Sequence, residues 1–346
     1  MTRIHSLAAT LVAACLVGMV PISGCGGSQG RGADGEPPLA SRDPGEIRAS
    51  AVEMLQELSG HQRPVIRANA IEAASVLPRA RLEPLVALGL SDENEGVRSV
   101  AAMVVGQRGL DGLRPTLESL RVDDASPFVR CSAIYALHEI GTEPDLTPLA
   151  GYLLESDDIK LSSHAAFVLG ELGNNSAVPV LEQGASKRWP RESPIQRRIF
   201  RLQIAEAMIK LGESEELDAV RSALYPSRPE ELEATALAVQ ILGEVRDRGS
   251  VDQLIYMANE ETGLEMPAEV RLGIASTLAD LGLRNGGYIA DEYADHDMDV
   301  LRAQAATVYG VIGRREYLGT LAEMMGDESP LVRVAAASSV VRSVGD

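Results

Sequence analysis

One phrase returns along this chain about every 32 residues. An apolar residue precedes Arg, small residues follow, and Gly often closes the phrase eleven positions after the Arg. Taking the Arg position as mark, the units fall at Arg67, Arg98, Arg130, Ser162, Arg201, Thr235, Arg271, Arg302 and Arg333. A unit of this length is one supersecondary element that cannot bury its apolar face alone, so each must lean on the next.

Each unit reads as two helices. The first carries small and apolar residues three and four apart, as in Val129, Ala133, Ala136 and Leu137, which puts them on one stripe. Ala on that stripe lets a neighbouring helix come close. The Gly near the helix end suits a left-handed cap, which a Cβ disfavours. A short turn leads into a second amphipathic stretch, such as Pro144 to Leu154 or Val251 to Ala258, with Pro early in several of them. The segment Glu46 to Leu58 precedes the first full unit and is expected to cap the stack. Aromatics are only 3% of the chain, which favours close-packed helices over sheets.

In the units around Arg98, Arg130, Arg302 and Arg333 the pattern is Asp-x-x-x-x-Val-Arg-x-x-Ala-Ala-x-x-Leu-Gly-x-x-Gly or close to it. It resembles the HEAT-like repeat, in the short form also seen in phycobilisome lyases. The resemblance covers about residues 46–345 and is weakest at Ser162 and Thr235, where the Arg is absent. It implies an all-α fold: an α-solenoid, or superhelix, of about nine two-helix repeats. At ~8–10 Å per stacked layer, nine layers are expected to make a rod of roughly 80 Å. Acids before the marks (Asp92, Asp124, Asp327) read as hydrogen-bond partners of Arg from repeat to repeat.

The first residues read as an address. Arg3 precedes an apolar run, Leu7 to Val20, too short for a comfortable membrane span. Ile22-Ser23-Gly24-Cys25 follows and resembles the bacterial lipobox. The resemblance implies diacylglyceryl transfer to the Cys25 thiol and cleavage before it. The expected organisation is therefore a lipoprotein signal peptide over 1–24, a lipidated Cys25 with a Gly/Pro/Ser-rich linker over 25–45, and the solenoid over 46–346. Several acyl chains would tether the protein stably to a membrane without spanning it. The expected location is the cell envelope, on the periplasmic or extracellular face. Cys131 is the single thiol left after Cys15 and Cys25, so no intramolecular disulfide is expected.

Charge excludes one class of partner. With Lys+Arg 32 against Asp+Glu 50 the formal net charge is −18, a poor match for nucleic-acid phosphates. Chemistry is sparse. His138-Glu139 invites comparison with deoxyhypusine hydroxylase, a HEAT-repeat di-iron enzyme, but one His-Glu pair cannot make its ligand set. Asp295, Asp297 and Asp299 start like a calcium loop, yet Val300 and Ala306 stand where Gly and Glu are required. Neither a phosphate loop nor a nucleophile elbow occurs. No catalytic, cofactor or metal residue is therefore assigned, and no cofactor is expected.

One stretch stands apart. The step from Ser162 to Arg201 is longer than the others. Its insert, 185–194, holds the only Trp and reverses the local charge. Trp and Arg are enriched at binding hot spots, which makes Arg188, Trp189 and Arg191 candidates for contact with a partner or a lipid headgroup. The plainer alternative is a long loop whose Trp189 plugs a gap between units. The function read from the sequence is a non-enzymatic, membrane-tethered scaffold that binds an unidentified protein. The alternatives are a lyase-like or chaperone-like accessory protein and, less favoured, a metal-dependent enzyme.

Overall fold

The computed structural model describes residues 39–259 and 266–344. The expected signal peptide, Cys25 and most of the linker lie outside the described residues. Eighteen α-helices, joined by turns and short 3-10 segments, make up the described residues, and no strand occurs among them. They run α1 (Pro44–Leu58), α2 (Pro64–Ala73), α3 (Arg79–Gly89), α4 (Glu95–Arg108), α5 (Arg114–Asp123) and α6 (Pro127–Glu139). Next come α7 (Thr147–Glu155), α8 (Ile159–Glu171), α9 (Val178–Ala185), α10 (Pro194–Lys210), α11 (Leu217–Ser222) and α12 (Leu232–Glu244). The last six are α13 (Val251–Ala258), α14 (Ala268–Asp280), α15 (Gly287–Tyr293), α16 (Asp299–Ile312), α17 (Leu318–Met324) and α18 (Pro330–Ser343). The expected all-α solenoid of nine helix pairs is what the chain forms.

The even-numbered helices carry the marks and form an inner layer. Each packs along its length on the even-numbered helix before and after it, while the odd-numbered helices lie outside. Eight of the nine marks sit three residues after the first residue of their helix. The exception is Arg201. In α10 the residue at that place is Arg197, whose guanidinium donates to the carbonyls of Trp189 and Glu192 at 3.3 and 2.7 Å. The fifth mark therefore belongs at Arg197. α10 is one turn longer than its neighbours, which shifts a count made from Arg201 by four residues while leaving the same face inward.

The Arg marks form a ladder. Arg98 grips Asp124 with Nε and Nη2 at 2.7 and 2.9 Å, and its Nη1 donates to the carbonyls of Asp92 and Glu93. Arg67 holds Asp92 the same way, and Arg302 holds Asp327. Each Asp also accepts the backbone N–H two residues on, at Asn94, Ser126 and Ser329. One carboxylate thus fixes a turn and ties it to the neighbouring helix, with short charge-assisted bonds. Where Ser162 replaces Arg, Lys187 reaches in from the insert and donates to the carbonyls of Leu153 and Ser156.

The inner helices end as their sequence dictates. Gly109, Gly141, Gly173, Gly212, Gly282 and Gly313 all have positive φ, between 61° and 103°. At the equivalent place after α12 stands Arg246, with φ 55°, a conformation that costs a residue bearing Cβ.

The rod expected from nine stacked layers does not form. The stack curls until its two ends meet. α18 packs against both α1 and α2, and the Leu39–Ser41 turn lies on α17. Arg48 Nε donates to the Val344 carbonyl at 3.0 Å, 296 residues away. Ile47 and Leu55 of α1 share one apolar core with Val332 and Val340 of α18. Nine pairs closing a full circle turn by about 40° each, and stacking with a constant turn makes a ring once that sum is reached. The segment expected to cap one end is therefore the outer partner of the last inner helix, so the ninth pair takes one helix from each terminus. α1 begins at Pro44, capped by Asp43, whose Oδ2 accepts the Gly45 N–H at 3.0 Å, so the ordered part reaches into the expected linker.

Candidate binding site in the lumen

Each inner helix touches an inner neighbour on two sides and the outer layer on a third, so its remaining face turns to the ring axis. The residues on that face lie two, six and nine positions before the left-handed cap. In α16 they are Val311, Thr307 and Gln304, half-exposed among buried neighbours. In α8 they are Glu171, Phe167 and His164, in α10 Lys210, Glu206 and Gln203, and in α12 Glu244, Gln240 and Leu237. The matching positions of α2 and α18 include Glu72, Asn69, Arg342 and Ser338. Nine helices spaced ~9–10 Å apart around a circle enclose a lumen on the order of 15 Å wide once side chains are in place. These lining residues are mostly polar, with more acids than bases among them.

Three sectors carry chemistry. In the first, Lys210 Nζ sits among Glu171, Glu206 and Glu244 at 2.7, 2.5 and 3.2 Å, and lies 5.2 Å from the centre of the Phe167 ring. Burial opposes the ammonium, but the three carboxylates overcome it and hold the Lys210 pKa well above its usual value. Burial and the adjoining Glu206 push the Glu244 carboxyl upward. The arrangement ties α8, α10 and α12 together and leaves the ammonium fully partnered.

In the second sector a hydrogen-bonded chain crosses three helices. Ser99 Oγ and Ser132 Oγ are 2.7 Å apart, and Ser132 Oγ is 3.1 Å from His164 Nε2. Burial lowers the His164 pKa to about 4, so its imidazole is neutral at pH 7. Ser132 is wholly buried, which keeps substrate from its hydroxyl in spite of the nearby base. Cys131 beside it is also fully buried, and burial pushes its thiol up to about 12, an inert core cysteine.

The third sector lies at the seam where α2 meets α18. Asn69 and Glu72 are 5% and 6% exposed. Asn69 Nδ2, Glu72 Oε1, Gln304 Oε1 and Arg342 Nε are all buried without a hydrogen-bond partner. Burial raises Glu72 to about 8 against a partial pull from Arg342. Buried donors and acceptors normally find partners, and these four stand beside others left open at Ser126, Trp189, Ser339 and Ser343. The sequence analysis passed over all four. Their signal was there in the spacing forward from each mark, which places them on the axis-facing row.

The candidates from the insert divide. Trp189 is 6% exposed and edge-on to Phe200, with ring centres 5.3 Å apart, and Lys187 Nζ stands 4.2 Å from its ring centre. It plugs the gap made by the long α9–α10 connection and offers no face to a partner. Arg188 and Arg191 are exposed. Much of the basic excess around them is structural: Lys187 and Arg197 bind carbonyls, and Arg198 pairs with Glu231 at 3.2 Å. His138 Nδ1 lies 3.3 Å from Glu139 Oε1, on a partly exposed pair. Among the described residues no group of three or more His, Cys, Asp or Glu is placed to hold a metal ion. No helix among them is long and apolar enough to cross a membrane.

Comparison with known proteins agrees with the architecture. Residues 82–159 match the family model of HEAT repeats, and the helix pairs beyond that stretch carry the same marks and ladder. The described residues form an α-solenoid, of which residues 82–159 are matched as HEAT repeats. The complex of CpcE and CpcF of phycocyanin lyase from Nostoc sp. PCC7120 is similar in structure, at 18% identity, covering 75% of this chain and 94% of that chain, with a TM-score of 0.33. Human deoxyhypusine hydroxylase in complex with glycerol is similar at 15% identity, covering 86% of this chain and 97% of that chain, with a TM-score of 0.36. Scores this low leave the activities of those proteins with those proteins. No curated protein matches the chain in sequence.

Proposed function

We propose that this chain is a binding scaffold that presents a ring of HEAT-like repeats to a partner protein, held at a membrane of the cell envelope by acyl chains on Cys25. One observation carries the reading: the described helix pairs close into one continuous ring, with Arg–Asp pairs tying successive repeats together. Stacked helix pairs give a wide, rigid surface for a partner. The exposed Arg188 and Arg191, on an acidic molecule, are the part of the insert a partner can reach. Anchoring rests on the lipobox resemblance of Ile22-Ser23-Gly24-Cys25.

Crosslinking and pull-down of the acylated protein from its native envelope tests the scaffold. A defined partner lost on the double substitution Arg188→Glu and Arg191→Glu supports it, and no partner above background removes it. Radiolabelled palmitate tests the anchor: label on the wild type and none on Cys25→Ala is expected.

A further inference from the structure

Eight of the nine joints between inner helices link neighbours along the chain, while the ninth, α18 on α2, is made only when the ring closes. Its angle is whatever the other eight leave. Side chains bridge joint after joint elsewhere. Ser99 Oγ meets Ser132 Oγ at 2.7 Å across α4–α6, and Ser132 Oγ meets His164 Nε2 at 3.1 Å across α6–α8. Lys210 Nζ binds Glu171 at 2.7 Å across α8–α10 and Glu244 at 3.2 Å across α10–α12. Thr277 Oγ1 donates to the Val239 carbonyl at 3.0 Å across α12–α14. At α18–α2, Glu72 and Arg342 stand close enough to shift each other's protonation, yet no hydrogen bond or ion pair joins them among the described residues. Glu72 Oε1, Asn69 Nδ2 and Arg342 Nε are left open. The ladder skips the same joint. Arg67, Arg98 and Arg302 each grip an Asp of the following turn, whereas Arg333 binds the Asp327 and Glu328 carbonyls and faces a turn with His61 in the place of Asp. What holds the ring shut is α1. Its Ile47 and Leu55 share a core with Val332 and Val340 of α18, and its Arg48 Nε donates to the Val344 carbonyl at 3.0 Å.

We propose that α1 is an exchangeable clasp: the ring opens at the α18–α2 joint, and the α18 face that α1 leaves takes α1 of a second copy of this chain. Identity of contact selects this partner. α1 has 15 residues and is about 22 Å long, and a second copy offers the same Ile47, Arg48 and Leu55 to the same Val332, Val340 and Val344. An element exchanged between identical chains loses none of its contacts. A joint between copies also sets its own angle, which frees the groups left open in the closed ring to find partners. Within one copy the clasp has the advantage of proximity. Single rings therefore dominate in dilute solution, and exchange grows as the protein approaches the millimolar range. This inference stands apart from the scaffold reading, since it needs neither Arg188 and Arg191 nor an acyl anchor.

The test uses the full chain with Cys15→Ser and Cys25→Ser, which leaves the buried Cys131 as its remaining native thiol. One preparation adds Arg48→Cys and the other Val344→Cys. The two are mixed in equal amounts over a concentration series, either folded or after joint unfolding and refolding, and treated with a short bis-maleimide. A covalent dimer with one chain of each kind is expected, in excess over either preparation alone, rising with concentration and most abundant after joint refolding. His61→Asp in both preparations gives Arg333 the carboxylate that other rungs have. It is expected to slow dimer formation from folded protein by about threefold or more. Should a cysteine variant fail to fold by circular dichroism, tagged and untagged wild-type chains refolded together and recovered through the tag give the same reading. The proposal is overturned if no mixed dimer forms at any concentration by either route, or if His61→Asp leaves the rate unchanged.

Discussion

At the scale of single residues, two buried groups set the response to pH in opposite directions. Glu72 has an ordinary value of 4.5 and is raised to about 8 by burial. The folded chain keeps a proton there that the unfolded chain releases, so stability is fully present below about pH 4.5 and is lost as pH rises through 8. A shift of that size is worth up to about 5 kcal/mol. His164 works the other way: depressed from 6.5 to about 4, it supports folding above its ordinary value and withdraws that support as pH falls. Denaturant midpoints are expected to change little from pH 5 to 6.5, where the two groups offset each other, to decline from pH 6.5 to 8 in the wild type, and to decline less over that range in Glu72→Gln. Arg246 offers a second test. Its left-handed φ of 55° is occupied by Gly after six of the other inner helices. Arg246→Gly is expected to raise stability by about 1 kcal/mol, and Gly109→Ala to lower it by a similar amount, read by chemical denaturation.

At the scale of elements, the ladder decides how well one pair holds the next. Arg98 and Asp124 are 17% and 5% exposed in their side chains, and the guanidinium also serves two carbonyls. Arg98→Ala is expected to cost about 2–3 kcal/mol, because it leaves the buried Asp124 carboxylate and two carbonyls short of a donor. Arg98→Lys is expected to recover only part of that, since an ammonium cannot span both carboxylate oxygens. The outer pair Arg79–Asp111 is well exposed, and Arg79→Ala is expected to change the denaturation midpoint little. Part of the ladder was legible in sequence, from Asp92, Asp124 and Asp327, each six residues before an Arg. Its repairs were not. Lys187 fills the place left by Ser162 from a loop 25 residues away, and Arg197 takes the role assigned to Arg201. A pattern read by eye follows spacing, whereas a guanidinium follows the carbonyls it can reach.

At the scale of the whole molecule, closure is the property to test. Each pair turns a little relative to the last, and the sum returns the chain to its start, so α1 docks on α18 in place of a further repeat. Cysteines placed at Arg48 and Val344, with Cys131 buried and the first 37 residues removed, are expected to join under a short bis-maleimide in dilute solution. An open rod would leave them far apart and unjoined. Leu55→Ala, at a fully buried position of α1, is expected to cost 2–5 kcal/mol and to widen the particle in small-angle scattering. Arg333 marks the seam from another side: it binds the Asp327 and Glu328 carbonyls, but the turn that follows α1 offers it His61, where the turns that serve Arg67, Arg98 and Arg302 offer Asp92, Asp124 and Asp327.

The sequence by itself determined the helices, their pairing, the left-handed caps and most of the ladder, because each depends on residues within one repeat or its immediate neighbour. It pointed equally to the burial of small residues between inner helices, since close approach needs Ala or Gly at fixed spacing. Only the tertiary structure decided that the stack is a ring and that α1 completes the last pair. Curvature is a small angle per repeat, set by how side chains fill the space between helices, and no single residue encodes it. Multiplied ninefold, that angle separates a rod from a circle, and with it a lumen from an open groove.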